Sequence, residues 1–149
     1  MDGLQTAASD GDRLVKEVTL PLVKGISGIV HQDYGEAIRL MEPLLSLGVP
    51  TTNFPVLVVA TPKREVFEDT LTEAYLRSGQ SDKAESMIGH HLRRRESPRD
   101  LPRLAKAQEA ERNKGAASSN VHQAQNSWID ADSGSKETAA LVNLAEKVR

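Results

Sequence analysis

The stretch 70–92, TLTEAYLRSGQSDKAESMIGHHL, restricts the fold more than any other part of the chain. Leu71, Ala74 and Tyr75 fall on one face of a first helix, and Ala84, Ile88 and Leu92 recur at four-residue spacing on a second. Gly79 lies between them, where a helix end favours a residue able to take positive φ. Ser81 or Asp82 then offers a side-chain oxygen to cap the next helix. The small Ala84 lets two backbones approach closely. A helix–turn–helix unit is expected, and it specifies a shape rather than a reaction.

A second such unit precedes it. Thr19 followed by Pro21 reads as a helix start: a capping hydroxyl, then a proline whose missing N–H costs nothing in the first turn. Leu22, Ile26, Ile29 and Val30 give an apolar stripe. Gly25 and Gly28 weaken this helix by up to about 1 kcal/mol each relative to alanine, and close contact with a neighbouring helix is the expected compensation. Gln32-Asp33-Tyr34 supplies the turn. Ala37, Ile38, Met41, Leu44 and Leu45 form the core face of the next helix, and Pro43 argues for a kink or an end near Glu42.

Setting Ala37 on Ala84 aligns QDYGEAIRLMEPLL with GQSDKAESMIGHHL. The two alanines are 47 residues apart, more than the roughly 34 of a tetratricopeptide repeat. The excess falls in an insert, 47–62, with three prolines and the β-forming run Val56-Leu57-Val58-Val59. An extended segment over the hairpins, or part of a partner interface, is expected there. Thr61-Pro62 is another helix start. Val66 and Phe67 join the buried face of the helix that follows, and Glu65, Glu68, Asp69 and Glu73 form its exposed acidic side.

Ser97-Pro98 starts a third helical piece with a thin stripe of Leu101, Leu104, Ala105 and Gln108. Residues 114–135 are rich in Gly, Ala, Ser and Asn and read as a linker containing the lone Trp128. Residues 136–148 offer a short amphipathic helix through Leu141, Val142, Leu144 and Ala145, marginal by itself. The expected organisation is a flexible N-terminus at 1–17, with a short helical lead-in after Asp12. A tetratricopeptide-like helical domain follows at 18–113 with the insert 47–62, then a flexible tail at 114–149. The expected fold class is all-α, built of helical hairpins with disordered termini.

Residues 18–112 resemble the C-terminal part of the tetratricopeptide repeat protein 38 family. The residues that carry the resemblance are Leu20-Pro21-Leu22, Gly25, Asp33-Tyr34, Ala37-Ile38 and Pro43-Leu44. Beyond the insert they are Arg64-Glu65-Val66-Phe67, Thr70-Leu71, Ala74, Gly79, Ala84 and Ser97-Pro98. Glu65 stands where the family usually has Asp, and Val59-Ala60-Thr61-Pro62-Lys63 replaces its glycine-serine stretch and glutamine. The resemblance implies an α-helical repeat protein and transfers no catalytic residue. A solenoid repeat cannot bury its apolar face alone, so the glycine-lined apolar face of the first helix is expected to lie open.

The net charge of −2 gives no global field towards nucleic acid or acidic membranes. Cysteine is absent, which excludes thiolate chemistry and disulfides. No apolar run approaches the roughly 18 residues of a membrane span, and the first twenty residues carry four acidic groups rather than a secretory pattern. The expected location is cytoplasmic.

Candidate sites are few. His90-His91 point about 100° apart on a helix and cannot easily chelate one ion, so a solvated helix end is expected and no metal. Arg93-Arg94-Arg95 with Arg99, Arg103 and Lys106 form a basic cluster without interleaved aromatics, which argues against nucleic acid. No nucleophile elbow, phosphate loop or cofactor motif is present, so no enzyme and no cofactor are expected. Arg64 could receive a carboxylate from a partner, or pair with Glu36 or Glu42. The groove of a repeat array lies along the first helix of each hairpin, here Leu22, Ile26, Ile29 and Val30, then Val66, Asp69, Glu73, Leu76 and Arg77. The expected function is therefore non-catalytic binding of a protein or peptide at a groove of Leu22, Ile26, Ile29, Val30, Arg64, Asp69, Glu73 and Arg77. The alternative is a structural cap or fragment of a longer solenoid. Exposure of Ile26 and Ile29 separates the two.

Overall fold

The computed structural model describes residues 15–46, 61–94, 97–130 and 134–149, with the backbone alone for 61–65. The expected insert up to residue 60 and the chain before residue 15 lie outside the described residues. Among the described residues seven α-helices follow one another: α1 (Leu20–Val30), α2 (Tyr34–Leu45), α3 (Thr61–Ser78), α4 (Ser81–Arg94), α5 (Asp100–Ala110), α6 (Lys114–Ser127) and α7 (Lys136–Lys147). A π-helical turn, Val15–Thr19, leads into α1. No strand occurs among the described residues, and the all-α expectation holds. Among them, no helix is long and apolar enough to cross a membrane.

The chain divides into two compact units, Met1–Ser78 and Gly79–Arg149. The single domain expected at 18–113 is therefore not the unit of packing. In the first unit, α2 packs on both α1 and α3, and the π-turn packs on α1. In the second, α5 packs on α4, α6 and α7.

The two glycines of α1 face α2. A Cβ at Gly25 would sit 2.5 Å from Met41 Cγ, and one at Gly28 would sit 3.3 Å from the Ala37 backbone nitrogen and 3.1 Å from the Asp33 carbonyl. The glycine-lined side of α1 is thus the covered side, not the open one that the sequence suggested. Met41 and Ala37, at 1% and 0% exposure, fill the space that the missing side chains leave.

Two turns share one geometry. Gln32 and Arg112 both take φ of 62°. The next residue, Asp33 or Asn113, donates its N–H five residues back, to Gly28 O or Gln108 O, each at 2.8 Å. Its side chain then caps the following helix by accepting the N–H of Glu36 (3.1 Å) or Ala116 (3.3 Å). Gly79 takes φ of 78° at the corresponding place before α4, as expected, with Gln80 O accepting Ala84 N–H at 3.2 Å. Ser81 and Asp82 already belong to the first turn of α4, so they are not the residues that flank it as caps.

These turns set a register that runs three times through the chain. Ala37, Ala84 and Ala117 stand at the same distance from their turns, and all are completely buried. One turn further on come Met41, Ile88 and Val121, exposed by no more than 2%. Twelve residues before each alanine stand Gly25, Thr72 and Ala105, all buried. This spacing of a small residue, an alanine and a bulky apolar residue is consistent with a tetratricopeptide-like hairpin. Its third instance is separated from the second by 33 residues, close to the regular period.

That third instance lies where a linker was expected. Residues 114–127 form α6, and Ala117, Val121 and Ala124 bury against α5. Small side chains allow the close approach, and the Asn113 cap starts the helix. Leu101, Ala105, Leu141 and Val148 complete this core, with Leu92, Trp128, Leu144 and Ala145 packed around it. The tail is therefore two packed helices. Val142, expected on the inner stripe of α7, is half-exposed, and Val148 is buried.

Four local expectations change for local reasons. Thr19 makes no side-chain cap, because its backbone is already helical after the π-turn. Pro43 neither ends α2 at Glu42 nor breaks it; the helix stops at Leu45, so the ring falls in the last turn, and Ser46 Oγ donates to Pro43 O at 2.7 Å. Glu68 is buried, since it lies on the stripe it shares with Leu71, Thr72 and Tyr75. Val66, expected on the inner face, is 66% exposed.

Candidate functional site

The candidate binding residues fall on two helices. On α1, contact of Gly25 and Gly28 with α2 turns the opposite side outward. Ile26 and Val30, one turn apart, are 46% and 74% exposed, while Leu22 and Ile29 are half-buried. On α3, Glu73 and Arg77 form an i,i+4 ion pair, Arg77 Nε to Glu73 Oε1 at 2.7 Å. The hydrogen bond to Glu73 and its charge, with a smaller effect of Tyr34, hold the Arg77 guanidinium above its ordinary pKa. Such an exposed pair adds only about 0–1 kcal/mol to stability. Asp69 lies one turn before Glu73 on the same helix. Arg64 lies in α3, its side chain outside the described residues. Of the two partners expected for it, Glu36 and Glu42, Glu36 holds Arg39 through two hydrogen bonds, 2.5 and 2.6 Å.

Among the described residues α1 and α3 share no extensive contact; each packs on α2. The seven candidate residues whose side chains are described thus lie on two helices that are joined through α2. The two helices do share one register. The turn alignment that sets Ala37 on Ala84 also sets Leu22 on Asp69, Ile26 on Glu73 and Val30 on Arg77. The third instance carries Pro102, Lys106 and Ala110 there. One helical row is apolar in α1, charged and self-paired in α3, and mixed in α5.

No family model, curated protein or solved structure matches the chain. The repetition inside the chain is thus its own comparison, and by that measure the α1 row is the unusual one.

Two polar clusters in the second unit were not legible as such. His90 is exposed and His91 is 5% exposed. The 100° between neighbours that rules out joint chelation also puts only one of them at the solvated helix end. The other faces Asp100, with His91 Nδ1 4.0 Å from Asp100 Oδ2, and Arg103 donates to Asp100 Oδ1 at 3.3 Å. Arg103 is thereby drawn out of the basic cluster.

Gln108 joins three helices. Its amide donates to Glu85 Oε1 at 2.9 Å and accepts from Asn120 Nδ2 at 2.8 Å. Beside it, Glu111 has its carboxyl pKa raised by partial loss of hydration and by the neighbouring Glu85 and Asp82. A folded-state pKa above the unfolded one favours the folded chain most when the group is protonated. That contribution is full below the ordinary glutamate value and is lost as pH rises through the raised one. Glu111→Gln should therefore raise the melting temperature at neutral pH, with the gain shrinking as pH falls through the acidic range. A melt series from pH 4 to 7.5 on both proteins measures this, and a lower melting temperature for the variant at pH 7 would contradict it.

Proposed function

We propose that the chain is a non-catalytic helical repeat module of the tetratricopeptide type, in line with its resemblance to the repeat protein 38 family. Its partner is a protein or peptide in the cytoplasm, docked along Leu22, Ile26 and Val30. The single observation behind this reading is the contrast within one register. Where α3 satisfies its own charges, α1 presents leucine, isoleucine and valine at four-residue spacing and leaves Ile26 and Val30 in water. A row of that spacing fits apolar anchors of an amphipathic helix or of an extended peptide.

A second reading, the capping role, is favoured by one feature. The second helix of one repeat packs on the first helix of the next, α2 on α3 and α4 on α5. Among the described residues, only the π-turn packs on α1 in that way. A further repeat from another polypeptide would use the same row.

Ile26→Glu with Val30→Arg copies the α3 residues onto α1. The doubly substituted chain should melt within about 0.5 kcal/mol of the parent, because both side chains are already exposed. A photoreactive residue placed at position 22 should crosslink one discrete protein or peptide in cells, and the double substitution should abolish the adduct. Adducts that persist unchanged would remove the site. An adduct with another helical-repeat polypeptide would favour the cap.

A further inference from the structure

The connection between α4 and α5 carries a chemical feature that the docking row does not use. Ser97-Pro98 leads directly into α5, and Ser97 O accepts the Asp100 N–H at 3.0 Å, closing a tight turn. Pro98 and Arg99 are exposed and Ser97 is half-buried. The residue before a proline is held in the extended region. No hydrogen bond engages the Ser97 hydroxyl among the described residues. Arg93 and Arg94, both exposed, end α4 just before this turn, and the Arg93 guanidinium lies back along the helix beside Gly89. Arg99 follows the serine by two residues and makes no side-chain cap to α5, whereas α2, α6 and α7 are each capped by a side chain.

We propose that Ser97 is a phosphorylation site, read by a protein kinase that takes proline after the acceptor and an arginine three residues before it. The exposed Pro98 suits a cleft that has no need of an N–H after the acceptor, and Arg94 meets acidic groups on the kinase. Ser97 Oγ attacks the γ-phosphorus of ATP. The Oγ–P bond forms as the bond to ADP breaks, and the hydroxyl proton passes to a base on the kinase. The product carries about −1.5 to −2 charges at neutral pH. These arise at the start of α5, which no side chain caps, two residues before Arg99, where negative charge is favoured by the helix dipole and by charge-assisted hydrogen bonds. The modification tightens the α4–α5 junction.

The chain contains its own control. Thr61-Pro62 is the other hydroxyl–proline pair, and Val58-Val59-Ala60 precede it with no arginine. The full chain is incubated with ATP and a proline-directed kinase, and the phosphate is located by peptide mass spectrometry. A synthetic peptide of residues 89–104 is treated in parallel. Phosphate is expected at Ser97 and not at Thr61, and Ser97→Ala should abolish it. Arg94→Glu should slow incorporation by about tenfold, the loss of one charge-assisted contact. The modified chain should melt a few degrees higher, with the gain shrinking as salt rises. Labelling of the peptide but not of the folded chain, labelling at Thr61 instead, or no labelling of either would each overturn the assignment. A lower melting temperature on modification would overturn the tightening.

Discussion

Met41→Ala should destabilise the chain by roughly 2–5 kcal/mol, the usual cost of emptying a fully buried methionine position. For a chain of this length that is a fall in melting temperature of about 2–4 °C per kcal/mol. The more informative result concerns Gly25. Alone, Gly25→Ala drives its methyl into Met41 Cγ, 2.5 Å away, and overpacking of this kind typically costs about 1–3 kcal/mol. In the Met41→Ala background the obstacle is gone. The intrinsic helix preference of alanine over glycine, up to about 1 kcal/mol, should then dominate, so that the same substitution stabilises. Gly28→Ala provides the contrast, because its obstacles are the Asp33 carbonyl and the Ala37 backbone. It should destabilise in both backgrounds. Urea unfolding of the four combinations tests the reversal, and strict additivity between Gly25 and Met41 would contradict the packing of α1 on α2.

Removal of residues 114–149 should have the other large effect. It deletes α6 and α7, and with them Ala117, Val121, Ala124, Leu141 and Val148 from a core whose remaining members are Leu101 and Ala105. The helices α4 and α5 are 14 and 11 residues long, a length at which isolated helices in water are marginal. Far-UV ellipticity should therefore fall by more than the deleted helices account for, and the loss should extend to α4 and α5. Limited proteolysis should cut the shortened chain between residues 81 and 113. A 1–113 chain that keeps both helices and resists cleavage there would show that the C-terminal pair is dispensable.

How much of this could be read from the residues depends on the size of the side chains that pack. Around Gly79 the pattern was explicit: leucine, tyrosine and isoleucine marked the faces, and glycine marked the positive φ. The first hairpin was legible for the same reason, through Ala37, Ile38 and Met41. In α6 the buried row consists of Ala117, Val121 and Ala124. Two alanines and a valine among Gly, Ser and Asn leave almost no hydrophobic periodicity, and composition pointed to a linker. The available signals were positional. Asn113 stands where Asp33 does, and Ala117 precedes Val121 by the same four residues that separate Ala37 from Met41.

The candidate site was half-legible. Spacing identified the α1 and α3 rows, but the side of α1 that faces outward is set by which side the glycines press against α2, and one strand of sequence does not show that. Glu68 and His91 illustrate the same limit. Charge and polarity assigned both to solvent, yet each occupies a helical position that turns inward. Buried polar residues of this kind are held by partners far away in sequence, as Asp100 lies across from His91.

Trp128 is the only tryptophan in the chain, and it sits against the core of the C-terminal unit. Its emission is thus a spectroscopic window onto Gly79–Arg149, whereas ellipticity sums every helix in the molecule. Comparing the two signals along one denaturation curve separates the order in which the halves come apart, without a label and without altering a residue.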